Sequence, residues 1–359
     1  MTSDELKNDL KGWLRGALEQ KASDVFFVVG REITYKTGGV ITKAGEKKLL
    51  PEDTEKYIDA IYEISGRTFD YRSDGDDDFS VSIPDVGRFR VNVFRQRGTW
   101  STVMRAVSFN LPPVETMNIP QTVLDIANLK KGLVLVTGTA GSGKSTTLTY
   151  VIDRINKNRD CHILTLEDPI EYLHRHDRSI VSQREVEIDT HSYAKALRAA
   201  MREAPDVILI GEMRDLETME AAMTAAETGH LVLSTLHTLG AANTIDRVID
   251  VFPPNQQQQI RVQLSMVLQT IVSQQLCPTI DKKVAPAFEI MQVNSAIKTL
   301  IRDGKVHQID SVISSSAKDG MRSMDASLLD LFKSGLITAD TAINCSINQE
   351  AMIRNVGTR

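Results

Sequence analysis

Residues Gly138-Thr139-Ala140-Gly141-Ser142-Gly143-Lys144-Ser145-Thr146 match the phosphate-binding loop G-x-x-x-x-G-K-[ST] in full. The flanks make the match specific. The apolar run at 133–136 delivers the chain into the loop as a strand. Behind it Leu148, Val151, Ile152 and Ile155 recur at i, i+3, i+4, i+7, the spacing of an amphipathic helix. Glycines at 138, 141 and 143 let backbone N–H groups converge on phosphate oxygens without Cβ obstruction, and the helix N-terminus adds its positive end. In such a loop Lys144 reaches the β and γ phosphates of ATP, and the Ser145 hydroxyl ligates Mg²⁺. The stretch implies binding of a nucleoside triphosphate.

Working outward, strands alternate with helices on the C-terminal side of the loop. A strand at 162–166 precedes a helix at 193–202 that Pro205 closes. A strand at 207–210 precedes a helix at 216–228 that Gly229 closes, and a strand follows at 231–235. Each strand is a near-continuous apolar run, as expected where helices cover both faces of a parallel sheet, so the pattern predicts a doubly wound α/β core. From Asn243 onward the chain reads as mostly helical, apart from an extended segment at 287–293. Gln256 to Gln259 read as a solvated helix face.

On the N-terminal side, Asn110-Leu111-Pro112-Pro113 and Asn118-Ile119-Pro120 interrupt all periodicity and read as an interdomain linker. Before it, helical spacing at 5–19 and 53–64 combines with extended segments at 25–29, 32–41, 78–83, 88–94 and 100–107, an α+β domain. The expected organisation is an N-terminal domain over 1–108, a linker over 109–120 and an ATPase domain over 121–359. The last divides into a core over about 121–275 and a mostly helical part over about 276–359.

The 359 residues allow two or three domains, and 42% hydrophobic with 25% charged residues describes an ordinary globular chain. A net charge of −5 argues against a protein that coats nucleic acid. No apolar run approaches the roughly 18 residues of a membrane span. Met1-Thr2-Ser3-Asp4-Glu5 has neither a basic nor an apolar leader region, so the expected location is cytoplasmic. Cys161, Cys277 and Cys345 stand apart in sequence, which supports neither a disulfide framework nor a structural zinc site and leaves buried thiols as the reading.

The chemistry gathers at carboxyl ends of strands, where open parallel sheets bind ligands. The strand at 207–210 ends in Gly211-Glu212, a variant of the Walker B element, and Glu212 is the first candidate to meet the Mg²⁺ shell and polarise the attacking water. The strand at 162–166 ends in Glu167-Asp168-Pro169, where a turn with a helix cap competes with a functional carboxylate. His230 and His237 flank the last strand. A histidine at a strand end near the γ phosphate can report whether that phosphate is present.

In the N-terminal domain Phe89, Val91 and Val93 share one strand face, leaving Arg88 and Arg90 on the other. A hairpin turning near 96–98 brings Arg90 close to Arg105, and an anion between these like charges would relieve their repulsion. Long arginines splaying into solvent is the plainer alternative.

The phosphate loop, the acidic box Ile163-Leu164-Thr165-Leu166-Glu167-Asp168-Pro169-Ile170-Glu171-Tyr172, the segment 206–215 and the histidine box Gly229-His230-Leu231-Val232-Leu233-Ser234-Thr235-Leu236-His237-Thr238 follow in order. Together they resemble the secretion ATPase superfamily. Ala296-Ile297-Lys298-Thr299-Leu300-Ile301-Arg302-Asp303-Gly304-Lys305 is similar to the A-I-R-N-L-I-R-E box of the type IV pilus retraction ATPases, the twitching-motility family, departing at Lys298, Thr299 and Asp303.

The resemblance implies a RecA-like ATPase domain with an N-terminal PAS-like α+β domain and a C-terminal helical part. It implies a homohexamer, peripheral to the membrane on its cytoplasmic face, working with the inner-membrane pilus platform protein and the pilus machinery. It makes Arg90 and Arg105 arginine fingers on ATP, with Arg97 and Arg88 as lesser candidates. Pilus assembly and type II secretion ATPases share this motor but usually carry an extra N-terminal domain and a four-cysteine zinc element. A RecA-type translocase would need a basic, aromatic strand-binding surface, and stable nucleic-acid binding is not expected with 5% aromatic residues. A regulatory ATP-binding module without turnover would not need Glu212, Glu167 and the arginines.

Overall fold

The computed structural model describes residues 2–109 and 111–357. These fall into two units: the described chain up to Phe109 together with Glu171–Leu173, and the remainder.

The first unit begins with the helix Ser3–Glu19. Its start is fixed reciprocally: Glu5 N–H donates to the Thr2 hydroxyl at 3.3 Å and Thr2 N–H donates to the Glu5 carboxylate at 2.8 Å. Strands β1 (Asp24–Phe27), β2 (Glu32–Thr37) and β3 (Val40–Lys48) follow, then the helix Pro51–Ser65. Strands β4 (Asp77–Ile83), β5 (Gly87–Gln96) and β6 (Thr99–Val107) complete an antiparallel six-stranded sheet in the order β3-β2-β1-β6-β5-β4. Leu10 and Leu14 from the first helix, Ile58 and Ile61 from the second, and Phe27, Phe89 and Met104 from the sheet share one core. The β5–β6 hairpin pairs Gln96 with Thr99 across Arg97-Gly98, whose φ values of 49° and 82° suit the right-handed twist of its strands. The extended stretch expected at 32–41 is two strands, because Thr37 pairs with Val40 around a tight turn. Tyr172 bridges Ser108, and Leu173 N–H donates to Ser108 O at 3.1 Å, which is why the last two residues of the acidic box, Glu171 and Tyr172, belong with this unit along with Leu173.

The second unit is built on β7 (Gly132–Thr137), β8 (His162–Glu167), β9 (Ile180–Glu185), β10 (Val207–Ile210), β11 (Leu231–Leu236), β12 (Leu268–Pro278) and β13 (Val284–Gln292). Their order is β13-β12-β7-β11-β10-β8-β9, and all neighbours are parallel except β12 with β13. Every residue of β7, β10 and β11 is buried, as two helix-covered faces require.

Two strands depart from the sequence reading. β9 is a short edge strand rich in polar residues. β12 runs through a region read as helical and crosses the boundary at 275. Its polar residues hide the strand signature because they are buried with partners, Ser273 and Gln274 among them. The region after β13 is helical as expected, from Ser295–Arg302 to Gln349–Gly357. Cys277 and Cys345, remote in sequence, sit side by side in one apolar cluster. Among the described residues no helix is long and apolar enough to cross a membrane.

Candidate functional site

Parallel strands bring their carboxyl ends to one edge, and register fixes which residues meet there. Thr137 of β7 stands beside Leu236 of β11 and Ser273 of β12. Ile210 of β10 stands between Ser234 and Leu166. The phosphate loop, His237, Gly211-Glu212 and Glu167-Asp168 therefore leave the sheet on the same side.

The loop passes from β7 into the helix Lys144–Asn158. Lys144 is buried, with Nζ donating to Gly138 O at 2.9 Å and Thr139 O at 2.8 Å, so its ammonium rests across the loop. Ser142 Oγ and Thr137 Oγ1 are buried side-chain atoms without a hydrogen-bond partner, a polar interior unlike an ordinary turn. Gly138 is obligatory. A Cβ there would lie 2.1 Å from Gln274 O and 2.6 Å from Ser142 Oγ. Thr139, Ala140 and Gly141 are exposed on the outer side, as is Ser145 in the first helical turn.

The Glu212 carboxylate uses both of its oxygens at this edge. Its Oε1 pairs with the Arg214 guanidinium and its Oε2 lies 3.2 Å from His237 Nε2. The Glu212 carboxylate in turn raises the Arg214 pKa. The backbone beneath is held by β11 hydroxyls: Ser234 Oγ donates to Ile210 O at 2.9 Å and Thr235 Oγ1 to Gly211 O at 2.6 Å. Glu167 accepts from Thr165 Oγ1 at 2.7 Å and Gln183 Nε2 at 3.3 Å, and the Asp168–Pro169 peptide is cis. Tyr193 enters from the helix Tyr193–Ala200. Burial, then the charges of Asp168 and Glu212, raise its pKa, and a Cβ on Gly211 would lie 2.8 Å from its hydroxyl.

His230 lies elsewhere. It precedes β11, whose first residue pairs with Gly132 at the start of β7, so a strand length of about 17–20 Å separates it from the loop edge. Its Nδ1 lies 3.0 Å from Ala225 O and 3.2 Å from Thr228 Oγ1, closing the helix Leu216–Glu227. The two histidines flank one strand, and strand direction sends only His237 to the phosphate side.

Arg90 and Arg105 lie in the first unit, directly opposed across β5 and β6. No anion is needed to reconcile them. Arg90 Nε donates to Asp78 Oδ1 at 3.0 Å, and Arg105 Nε to Asp24 Oδ1 at 2.8 Å. Arg88 donates to Ser82 Oγ at 3.0 Å, and Arg97 sits in the hairpin turn.

Sequence reasoning missed Tyr193, Arg214 and Gln274. Arg214 was legible as a cation two residues from a Walker B carboxylate. Gln274, which accepts from Thr147 Oγ1 at 2.7 Å, depends on a strand that carried no periodic signal.

A strand–loop–helix phosphate cradle facing a strand-end carboxylate on a RecA-like sheet defines a phosphate-loop ATPase. The family model for type II/IV secretion system proteins matches residues 2–318, and the chain belongs to that family. A twitching motility protein of Neisseria gonorrhoeae is 46% identical over 79% of this chain and 76% of its own length. The type IV pilus retractation ATPase PilT of Pseudomonas aeruginosa is 42% identical over 93% and 97%. The crystal structure of the pilus retraction motor PilT with bound ADP superposes with a TM-score of 0.85 at 43% identity, covering 96% of this chain and 98% of that one.

Proposed function

We propose that the chain is a homohexameric ATP-driven motor for type IV pilus retraction, working at the cytoplasmic face of the membrane with the pilus machinery. The observation that supports it most is the convergence of Lys144, Glu212 and His237 at one sheet edge, on a chain similar to PilT over nearly its whole length.

The loop's backbone N–H groups and Lys144 bind the phosphates, which requires the ammonium to leave the Gly138 and Thr139 carbonyls. The oxygen donors Ser145 and Glu212 suit Mg²⁺, which would neutralise phosphate charge there. Glu212 orients the attacking water and accepts its proton. Its pairing with Arg214 and His237 holds the carboxylate in place until nucleotide competes for those partners. Arg90 and Arg105 supply positive charge to the γ phosphate, exchanging Asp78 and Asp24 for an anion that gains charge in the transition state.

The test is genetic. A deletion strain should carry excess surface pili and fail to twitch, and the wild-type chain but not Glu212→Gln should restore twitching. Normal twitching in the deletion strain would refute the retraction role.

A further inference from the structure

Strand β12 carries three consecutive polar residues beside the phosphate loop, and each holds a different part of the second unit. Ser273 Oγ accepts from Gly240 N–H at 2.9 Å, just past the histidine box. Gln274 Oε1 accepts from Thr147 Oγ1 at 2.7 Å, in the first turn of the loop's helix. Gln275 Nε2 donates to Cys345 O at 2.9 Å, at the end of the helix Ala339–Cys345.

Gln274 is the closest of the three to the loop. It is 3% exposed and its partner Thr147 is 1% exposed, so water cannot replace either group. Its side chain also abuts Gly143, where a Cβ would stand 2.8 Å from Nε2. Its main-chain oxygen abuts Gly138, where a Cβ would stand 2.1 Å away. One residue thus braces the loop at its first glycine, its last glycine and the helical turn beyond. A buried amide is costly unless its hydrogen bonds are used, and here one is spent on the nucleotide cradle.

We infer that Gln274 is the positioning residue of the phosphate loop, setting the loop N–H groups for phosphate through Thr147 and the loop backbone. The inference rests on the nucleotide-binding reading above. Loop donors bind phosphate strongly only when all are aligned beforehand, so losing the brace lowers affinity for ADP and ATP alike. It leaves the chemical step, which Glu212 serves, largely intact.

Titration of the full chain with ADP and ATP, together with kcat at saturating ATP, tests this on Gln274→Met, Thr147→Val, their double variant and Thr147→Ser. Each of the first two is expected to weaken both nucleotides about tenfold with kcat within about twofold, and the double variant to be no weaker than either single one. Thr147→Ser keeps the hydroxyl and retains wild-type affinity. Unchanged affinity in a folded Gln274→Met chain, or losses that add in the double variant, would overturn the inference. Should Gln274→Met not fold, equal affinity of Thr147→Val and Thr147→Ser would overturn it alone. A wild-type chain that binds no nucleotide would instead refute the reading on which it rests.

Discussion

Glu289 sits 3% exposed on β13, with Oε1 accepting from Ala241 N–H at 2.7 Å. Burial raises its pKa above the ordinary 4.5, against the pull of that backbone bond. A carboxyl whose folded pKa is raised contributes stability that is full below its unfolded value and lost as pH rises through the folded one. Glu289→Gln keeps the acceptor and removes the charge. It should therefore melt increasingly above the wild type as pH climbs from about 4.5 through the raised folded value, and by a steady margin beyond it. A constant offset across that range would contradict the assignment. Cys277 is fully buried, and burial first, then Cys345 beside it, pushes its thiol up to about 12. In the native protein it should react with a thiol reagent far more slowly than the partly exposed Cys161 and Cys345. Equal rates for all three would count against that environment.

At the scale of elements, the phosphate loop separates glycines that look equivalent in sequence. Gly138→Ala drives a Cβ into Gln274 O, whereas Gly141→Ala meets open space and suffers only its φ of 74°. The first substitution should abolish nucleotide binding and lower Tm. The second should cost about 1–2 kcal/mol with binding retained. Calorimetry with and without ADP checks both. In the helix Ser295–Arg302, Ile297 and Ile301 are buried while Lys298 and Arg302 are exposed, with Arg302 Nε 3.3 Å from Asp303 Oδ1. Lys298→Ala with Arg302→Ala should abolish retraction and keep most ATPase activity. Normal twitching would reduce these two side chains to a solvated face.

The same elements explain what the sequence could reveal. β7, β10 and β11 are covered on both faces, so their burial is written as unbroken apolar runs, and Glu212 could be placed at a strand end from sequence. β12 contributes polar side chains to the loop and to a helix end, so its function erased its own signature. His230 and His237 look equivalent in sequence because periodicity identifies the strand between them without fixing which flank meets the loop. Arg90 and Arg105 were correctly opposed because a hairpin register follows from its turn, but their partners Asp78 and Asp24 lie on other strands that no local pattern links to them.

At the scale of the whole molecule, the phosphate loop and Glu212 belong to the second unit and Arg90 and Arg105 to the first, and substitution tests the role proposed for the arginines. An arginine brought to the γ phosphate is worth about 10³-fold or more in related phosphoryl transfer. Arg90→Ala and Arg105→Ala should each collapse turnover while ATP still binds. If the arginines act between subunits, mixing Arg105→Ala with Lys144→Ala chains restores activity, and if they act within one chain it does not. Full activity in both single variants would remove the arginines from the site. The central claim, a phosphate-loop ATPase whose water is activated by Glu212, is tested most directly by the ATP turnover of Glu212→Gln, measured beside the wild type at saturating ATP. The account predicts a loss of roughly 10²-fold or more with ATP affinity near wild type, and wild-type turnover in that variant would contradict it.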